Sequence, residues 1–109
     1  MSLGKQGIEK LKLLKNSARD FLGNNLEILC EMISDNPMDA FELEFLLYGK
    51  YKVLLEYEIS TFALKLWTGE GFEYLDNHSK EKMIYLFDSM KSENILHNFK
   101  VLDDVLKSL

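Results

Sequence analysis

The sequence predicts a single α+β domain, with an N-terminal helix, a three- or four-stranded antiparallel meander and two C-terminal helices. Apolar residues recur every three or four positions towards both ends of the chain, a spacing typical of amphipathic helices. In the middle they alternate with polar residues, as they do in half-buried strands. A chain of 109 residues is long enough for one core and too short for two. We therefore expect one domain over residues 1–109.

The first helix is predicted from the apolar spacing that starts at Ile8. Gly-Asn-Asn at 23–25 weakens the helical pattern, so a break there and a continuous helix are both open. Pro37 ends the helix, because the residue before a proline is pushed out of the helical region. Cys30 falls on the apolar stripe, which indicates a buried, inert thiol. The stripe consists of Ile8, Leu11, Leu14, Ala18, Phe21, Leu22, Leu26, Leu29, Cys30 and Ile33.

Strict alternation follows in three segments, 41–47, 51–57 and 62–66. A single long helix also fits part of this spacing. Frequent Phe, Tyr, Val and Thr, with glycines at turn intervals, favour strands instead. The apolar residues share one face only if the first hairpin has an odd loop, residues 48–50. That loop pairs Leu47 with Tyr51, Phe45 with Val53, Leu43 with Leu55, and Phe41 with Tyr57.

Two further features complete the predicted order of elements. The alternating apolar residues have odd numbers up to Tyr57 and even numbers from Phe62 onwards, so a turn or bulge is expected between them. Asn77 or Ser79 is predicted to cap one C-terminal helix, and Ser92 to cap a second. The apolar residues of these helices are Met83, Ile84, Phe87 and Met90 in the first, and Ile95, Phe99, Leu102, Leu106 and Leu109 in the second.

The charge distribution points to a protein partner. The chain carries a net charge of -5, and residues 27–76 hold eleven acidic and three basic groups. Such an excess disfavours nucleic acid, whose backbone is bound by clustered Lys and Arg. No apolar run approaches the length of a membrane span. The start of the chain lacks the regions of a secretory signal and Cys30 is the sole cysteine, so we expect a cytoplasmic location.

No arrangement of residues indicates catalysis, a cofactor or a metal. His78 and His97 have no metal-ligand spacing with each other or with Cys30, and both are expected to be ordinary surface histidines. Gly-Glu-Gly at 69–71 lacks the spacing and the Lys or Ser/Thr of a phosphate loop, and indicates a hairpin turn. We therefore expect the protein not to be an enzyme.

The side of the sheet opposite the core is the candidate site. Alternation leaves Leu46, Leu54, Ala63, Trp67 and Leu75 on that side among charged residues, although such a side is normally polar. Either a C-terminal helix covers it, or it binds a partner with Trp67 as an anchor. Both alternatives are open. The candidate partner-binding residues are Trp67, Glu56, Glu73, Glu42, Glu44 and Leu54.

The segment "ALKLWTGEGFEYLD", residues 63–76, follows a helix, a proline-containing break and the strand "YKVLLEYE". In this order it resembles the TriTu-type immunity proteins of bacterial toxin systems. The matching positions are Leu66, Trp67, Gly69, Leu75 and Asp76. The resemblance implies an intracellular antidote that binds one cognate toxin, such as a basic toxin domain, and catalyses no reaction. The alternative is a structural or assembly protein of a phage or mobile element that forms homodimers through the same face.

Overall fold

A computed structural model of the chain describes residues 5–33, 40–58, 61–75 and 90–108. It has an α+β fold in which an antiparallel sheet lies between an N-terminal and a C-terminal helix in the chain order. The elements are α1 (Lys5–Leu22), a short 3-10 turn (Gly23–Asn25), β1 (Leu26–Ile33), β2 (Phe41–Leu47), β3 (Tyr51–Glu58), β4 (Thr61–Trp67), β5 (Phe72–Tyr74) and α2 (Ser92–Lys107).

Helix α1 ends at Leu22, just before Gly-Asn-Asn at 23–25, where a break in the helix was one of the two alternatives. Gly23 has a φ of 60°, in the left-handed region that glycine adopts without a steric penalty, and it follows the last helical residue, Leu22. The chain then enters strand β1 and does not continue as a helix. The helix predicted to reach Ile33 is therefore too long. Cys30 belongs to this strand and is exposed, so the prediction of a buried thiol is wrong.

The sheet has the strand order β1-β2-β3-β4-β5, and every neighbouring pair is antiparallel. The described part of the chain thus has five strands, where the sequence predicted three or four. The first hairpin confirms the odd loop of residues 48–50. All four predicted pairs are present: Leu47 with Tyr51, Phe45 with Val53, Leu43 with Leu55, and Phe41 with Tyr57.

The next two turns set which residues share a face in β4 and β5. Tyr57 pairs with Phe62, which confirms a turn at the predicted change of parity; residues 59–60 themselves lie outside the described residues. After β4, Trp67 pairs with Phe72. The amide and the hydroxyl of Thr68 both donate to the Gly71 carbonyl oxygen, at 3.0 and 2.9 Å, and close this second turn.

Helix α2 packs against the sheet through its buried side chains Ile95, Phe99, Leu102 and Leu106. The ring of Phe99 stacks on that of Phe62, with 5.9 Å between centroids. Ser92 is the first helical residue and not the cap predicted for it, a position that Lys91 holds. The other predicted C-terminal helix, with Met83, Ile84 and Phe87, lies outside the described residues.

One hydrophobic core contains side chains from both helices and from β2, β3 and β4. Full burial of one such Leu or Phe side chain contributes about 1.5–3 kcal/mol. The strands supply the sheet side that faces α1 and α2, which we call the inner face. Neither of the two described helices has the length and apolar character of a membrane span.

Candidate functional site

The opposite side of the sheet, which we call the outer face, carries an unusual mixture of side chains. Antiparallel register assigns each residue to a side, because side chains alternate along every strand. Leu54, for example, pairs with Glu44 and Lys65, while its neighbours Val53 and Leu55 lie in the core. The outer face comprises Glu27, Cys30, Met32, Glu42, Glu44, Leu46, Lys52, Leu54, Glu56, Glu58, Thr61, Ala63, Lys65, Trp67, Phe72 and Tyr74.

Aromatic side chains occupy the β4–β5 end of the outer face. The Trp67 ring meets the Phe72 ring edge-to-face, with 5.2 Å between centroids and an interplanar angle of 68°. Trp67 is 43% exposed and Tyr74 is 53% exposed. An aromatic pair of this geometry contributes about 0.5–1.5 kcal/mol beyond its burial. The pair therefore holds the indole in a fixed orientation while leaving much of it accessible.

Two lysines lie among these rings, and each also contacts a carboxylate. Lys52 Nζ is 3.5 Å from Glu44 Oε1 and 5.5 Å from the Trp67 ring centroid. Its counterpart, Lys65 Nζ, is 2.9 Å from Glu56 Oε1 and 4.8 Å from the Tyr74 ring centroid. Cations over aromatic faces gain about 0.5–1 kcal/mol at exposed sites.

The pKa of Lys65 reflects this environment. The hydrogen bond to Glu56 raises the pKa of Lys65 above its ordinary value of 10.5, and desolvation by burial opposes it. The negative charges of Glu56 and Glu42 and the Tyr74 phenol raise it further. Lys65 is therefore a permanent cation at neutral pH. Its charge is matched by Glu56 and that of Lys52 by Glu44, so the outer face retains Glu27, Glu42 and Glu58 as an acidic excess.

A shallow cavity of about 290 Å³ lies at the end of the outer face. Its wall includes the carboxylates of Glu42, Glu56 and Glu58 beside the ring of Tyr74. Glu56 already contacts Lys65, and no group of three metal-ligating side chains occurs among the described residues. The arrangement suits the recognition of a cationic group better than the coordination of a metal ion.

The structure brings five of the six candidate residues to the same face: Trp67, Glu56, Glu42, Glu44 and Leu54. Leu54 is only 8% exposed, so it supports the face and offers little contact area. Glu73 pairs with Leu66, a core residue, and so lies on the opposite side from Trp67. Its assignment to the outer face is wrong, as is that of Leu75, which is buried in the core.

Phe72 and Tyr74 take the place that the sequence had assigned to Glu73. The turn between Trp67 and Phe72 contains an even number of residues. The outer face therefore receives the odd-numbered residues of β4 but the even-numbered residues of β5. The same kind of parity argument that placed the first hairpin could have found these two rings. Met32 and Cys30 were missed for a different reason, because β1 had been predicted as helix.

His97 lies on α2, outside this site. His97 is partly buried on α2 and makes contacts there, so it is not a free surface side chain. His78 lies outside the described residues. Comparisons of the chain with protein-family models, with curated proteins and with solved structures found no match in any of the three.

Proposed function

We propose that the protein is a small intracellular acidic binding protein that neutralises a cognate protein toxin by direct contact, as an immunity protein does. The observation that supports this best is the outer face, where the exposed rings of Trp67 and Tyr74 lie among carboxylates. Tryptophan and tyrosine are enriched among the residues that dominate binding energy at protein interfaces. The cytoplasm is the location that suits such an antidote.

The charge of the face supports a basic partner. The acidic excess of the chain lies in residues 27–76, a segment that contains all of the sheet except Leu26. Complementary charge accelerates encounter and disfavours wrong partners. Toxins that act on nucleic acid are basic where they bind their substrate, and an acidic antidote therefore suits them. Binding alone would then block the toxin, with no reaction catalysed by this chain.

A self-associating structural or assembly protein of a phage or mobile element is the second candidate. One observation favours it: strand β1 is at the edge of the described sheet and exposes Leu29 and Met32. Unpaired strand edges associate with other chains. The bulge between Ile28 and Cys30 weighs against pairing, because bulges distort the edge that a second strand must match.

The test uses the protein encoded beside this chain. Its C-terminal module is purified and titrated by calorimetry with the wild-type chain, with Trp67→Ala and with Leu96→Ala. Leu96 is a matched control, because it is 53% exposed but lies on α2, away from the outer face. We expect Trp67→Ala to weaken binding by about 2 kcal/mol or more, a loss of roughly 30-fold, and Leu96→Ala to leave it unchanged.

Two results would contradict the proposal. Equal affinities of the wild type and Trp67→Ala would mean that the partner does not use the outer face. Absence of binding, together with a concentration-dependent dimer in sedimentation that Leu29→Glu abolishes, would favour the self-associating protein.

A further inference from the structure

The two lysines of the outer face, Lys52 and Lys65, have the same kind of surroundings. Each ammonium contacts one carboxylate and one aromatic ring: Glu44 and Trp67 for Lys52, and Glu56 and Tyr74 for Lys65. Carboxylates and aromatic faces are the two surface groups that attract cations most strongly. The outer face therefore contains two preformed positions for cations, both filled by side chains of this chain.

The spacing of the two positions restricts what else could fill them. Lys65 pairs with Leu54, and Lys52 lies two residues from Leu54 along β3. The Cβ atoms of such diagonal neighbours are about 7–8 Å apart. In an extended chain, side chains at alternate positions project to the same side about 7 Å apart. The side chains at alternate positions of an extended segment therefore start at about the same spacing as those of Lys52 and Lys65, so such a segment can direct two cations to the two sites.

On the basis of the proposed function, we infer that the partner docks an extended segment carrying two arginines at alternate positions, and that these arginines displace Lys52 and Lys65. A guanidinium binds a carboxylate through two parallel hydrogen bonds and stacks on aromatic rings, so it competes well with an ammonium at such positions. Lys52 is displaced more easily: its side chain is 41% exposed and its carboxylate contact is 3.5 Å, compared with 22% and 2.9 Å for Lys65.

If arginines of the partner displace these lysines, removing a lysine from the outer face should strengthen binding. Lys52→Met removes the ammonium from Glu44 and Trp67 while keeping an unbranched apolar side chain at that position. Lys50→Met is the matched control. It changes the net charge by the same amount, and Lys50 lies 5.0 Å from the ring centroid of Tyr51, a residue of the inner face.

The probes are two short synthetic peptides of identical composition, one with arginines separated by a single serine and one with adjacent arginines. Trp67 is the only tryptophan of the chain, so its fluorescence reports binding at the face. We expect the alternating peptide to bind more tightly, Lys52→Met to tighten that binding about fivefold, and Lys50→Met to change it less than twofold. Lys52→Gln should act in the same direction as Lys52→Met.

Equal binding of the two peptides, or variants of Lys52 that bind no more tightly than Lys50→Met, would overturn the inference. Its failure is distinct from failure of the proposed function. If the natural partner loses affinity for Trp67→Ala but gains none for Lys52→Met, the outer face is the binding site and the displacement of lysines is wrong.

Discussion

The phenol of Tyr48 donates a hydrogen bond to the carboxylate of Asp103, and so joins the β2–β3 turn to helix α2. The Tyr48 amide also donates to the Asn25 carbonyl oxygen, at 2.9 Å, which ties the same turn to the 3-10 turn that follows α1. Tyr48 has a φ of 57°, a conformation that costs a residue with a side chain about 1–2 kcal/mol. These two hydrogen bonds offset that cost and connect both helices to one end of the sheet.

Tyr48→Phe removes the hydroxyl while keeping the ring and the backbone conformation. Asp103 is mostly buried and keeps Lys107, whose Nζ is 2.9 Å from Oδ2. We expect a loss of about 1 kcal/mol in the free energy of unfolding, measured with urea. Tyr74→Phe is the control, because the Tyr74 hydroxyl lies on the exposed outer face, and it should change stability by less than about 0.5 kcal/mol. Equal effects of the two variants would contradict a structural role for the Tyr48 hydroxyl.

The contacts of Tyr48 and Lys107 with Asp103 make the stability of the fold depend on pH in the alkaline range. The hydrogen bond to Asp103 raises the pKa of Tyr48 above its ordinary value of 10.0, as do burial and the charge of Asp103. The pKa of Lys107 is raised above 10.5, chiefly by its hydrogen bond to Asp103. A pKa that is higher in the folded state stabilises the fold below the unfolded value, and this contribution is lost as the pH rises through the folded value.

We therefore expect the urea midpoint to fall as the pH rises above about 10, with a smaller fall in Tyr48→Phe. Ultraviolet titration of the folded wild type should show one late-ionising phenol among its five tyrosines, and this late phase should be absent from Tyr48→Phe. If the two titrations differ only by a phenol that ionises near the ordinary value, Tyr48 is not bonded to Asp103 in solution.

The sequence predicted the centre of the sheet better than its edges. Between Phe41 and Leu66 one side of each strand is buried, so apolar residues alternate and even the pairing of Phe45 with Val53 follows from parity. At the edges this constraint weakens. Strand β1 has exposed Leu29 and Met32, and its bulge between Ile28 and Cys30 interrupts the alternation. Several of the apolar residues of β1 are therefore spaced by three or four positions, as they would be in a helix.

The residues of the candidate site were also predicted better at the centre of the sheet than at its edge. Residues of β2, β3 and β4 were assigned to the correct side, because burial of the inner face fixes their register. The error concerned Glu73, in a strand of three residues where the length of the preceding turn alone decides the parity. The contacts of Lys52 and Lys65 could not be predicted, since they depend on which rotamers bring each ammonium to a neighbouring strand.

Cys30 provides a chemical test of strand β1. It is exposed and is the only cysteine, so the folded protein should react with iodoacetamide at nearly the rate of the urea-unfolded chain. A thiol on the buried stripe of a helix would react only after unfolding. Because Cys30 pairs with Glu44 on the outer face, alkylation by a bulky reagent should also weaken binding of a partner to that face. Cys30→Ser, which cannot be alkylated, is the control for effects of the reagent elsewhere.

Trp67 decides whether the outer face is free for binding in the isolated chain. The indole is 43% exposed and its described ring contacts are to Phe72 and Lys52, so truncation removes less buried area than the loss of a fully buried ring does. We expect Trp67→Ala to lower the free energy of unfolding by about 1 kcal/mol. Phe99→Ala is the contrasting variant: its ring is fully buried against Phe62, and its loss should cost about 3–5 kcal/mol.

The emission of Trp67 in the folded wild-type chain gives an independent measure, since no other tryptophan contributes. An indole that is nearly half exposed should emit at long wavelength and be quenched efficiently by iodide or acrylamide. Urea unfolding should then shift the emission only slightly. A blue-shifted emission that resists quenching, together with a loss in Trp67→Ala as large as that in Phe99→Ala, would mean that Trp67 belongs to a packed interior. The outer face would then lack its central anchor, and the binding site would have to lie elsewhere on the molecule.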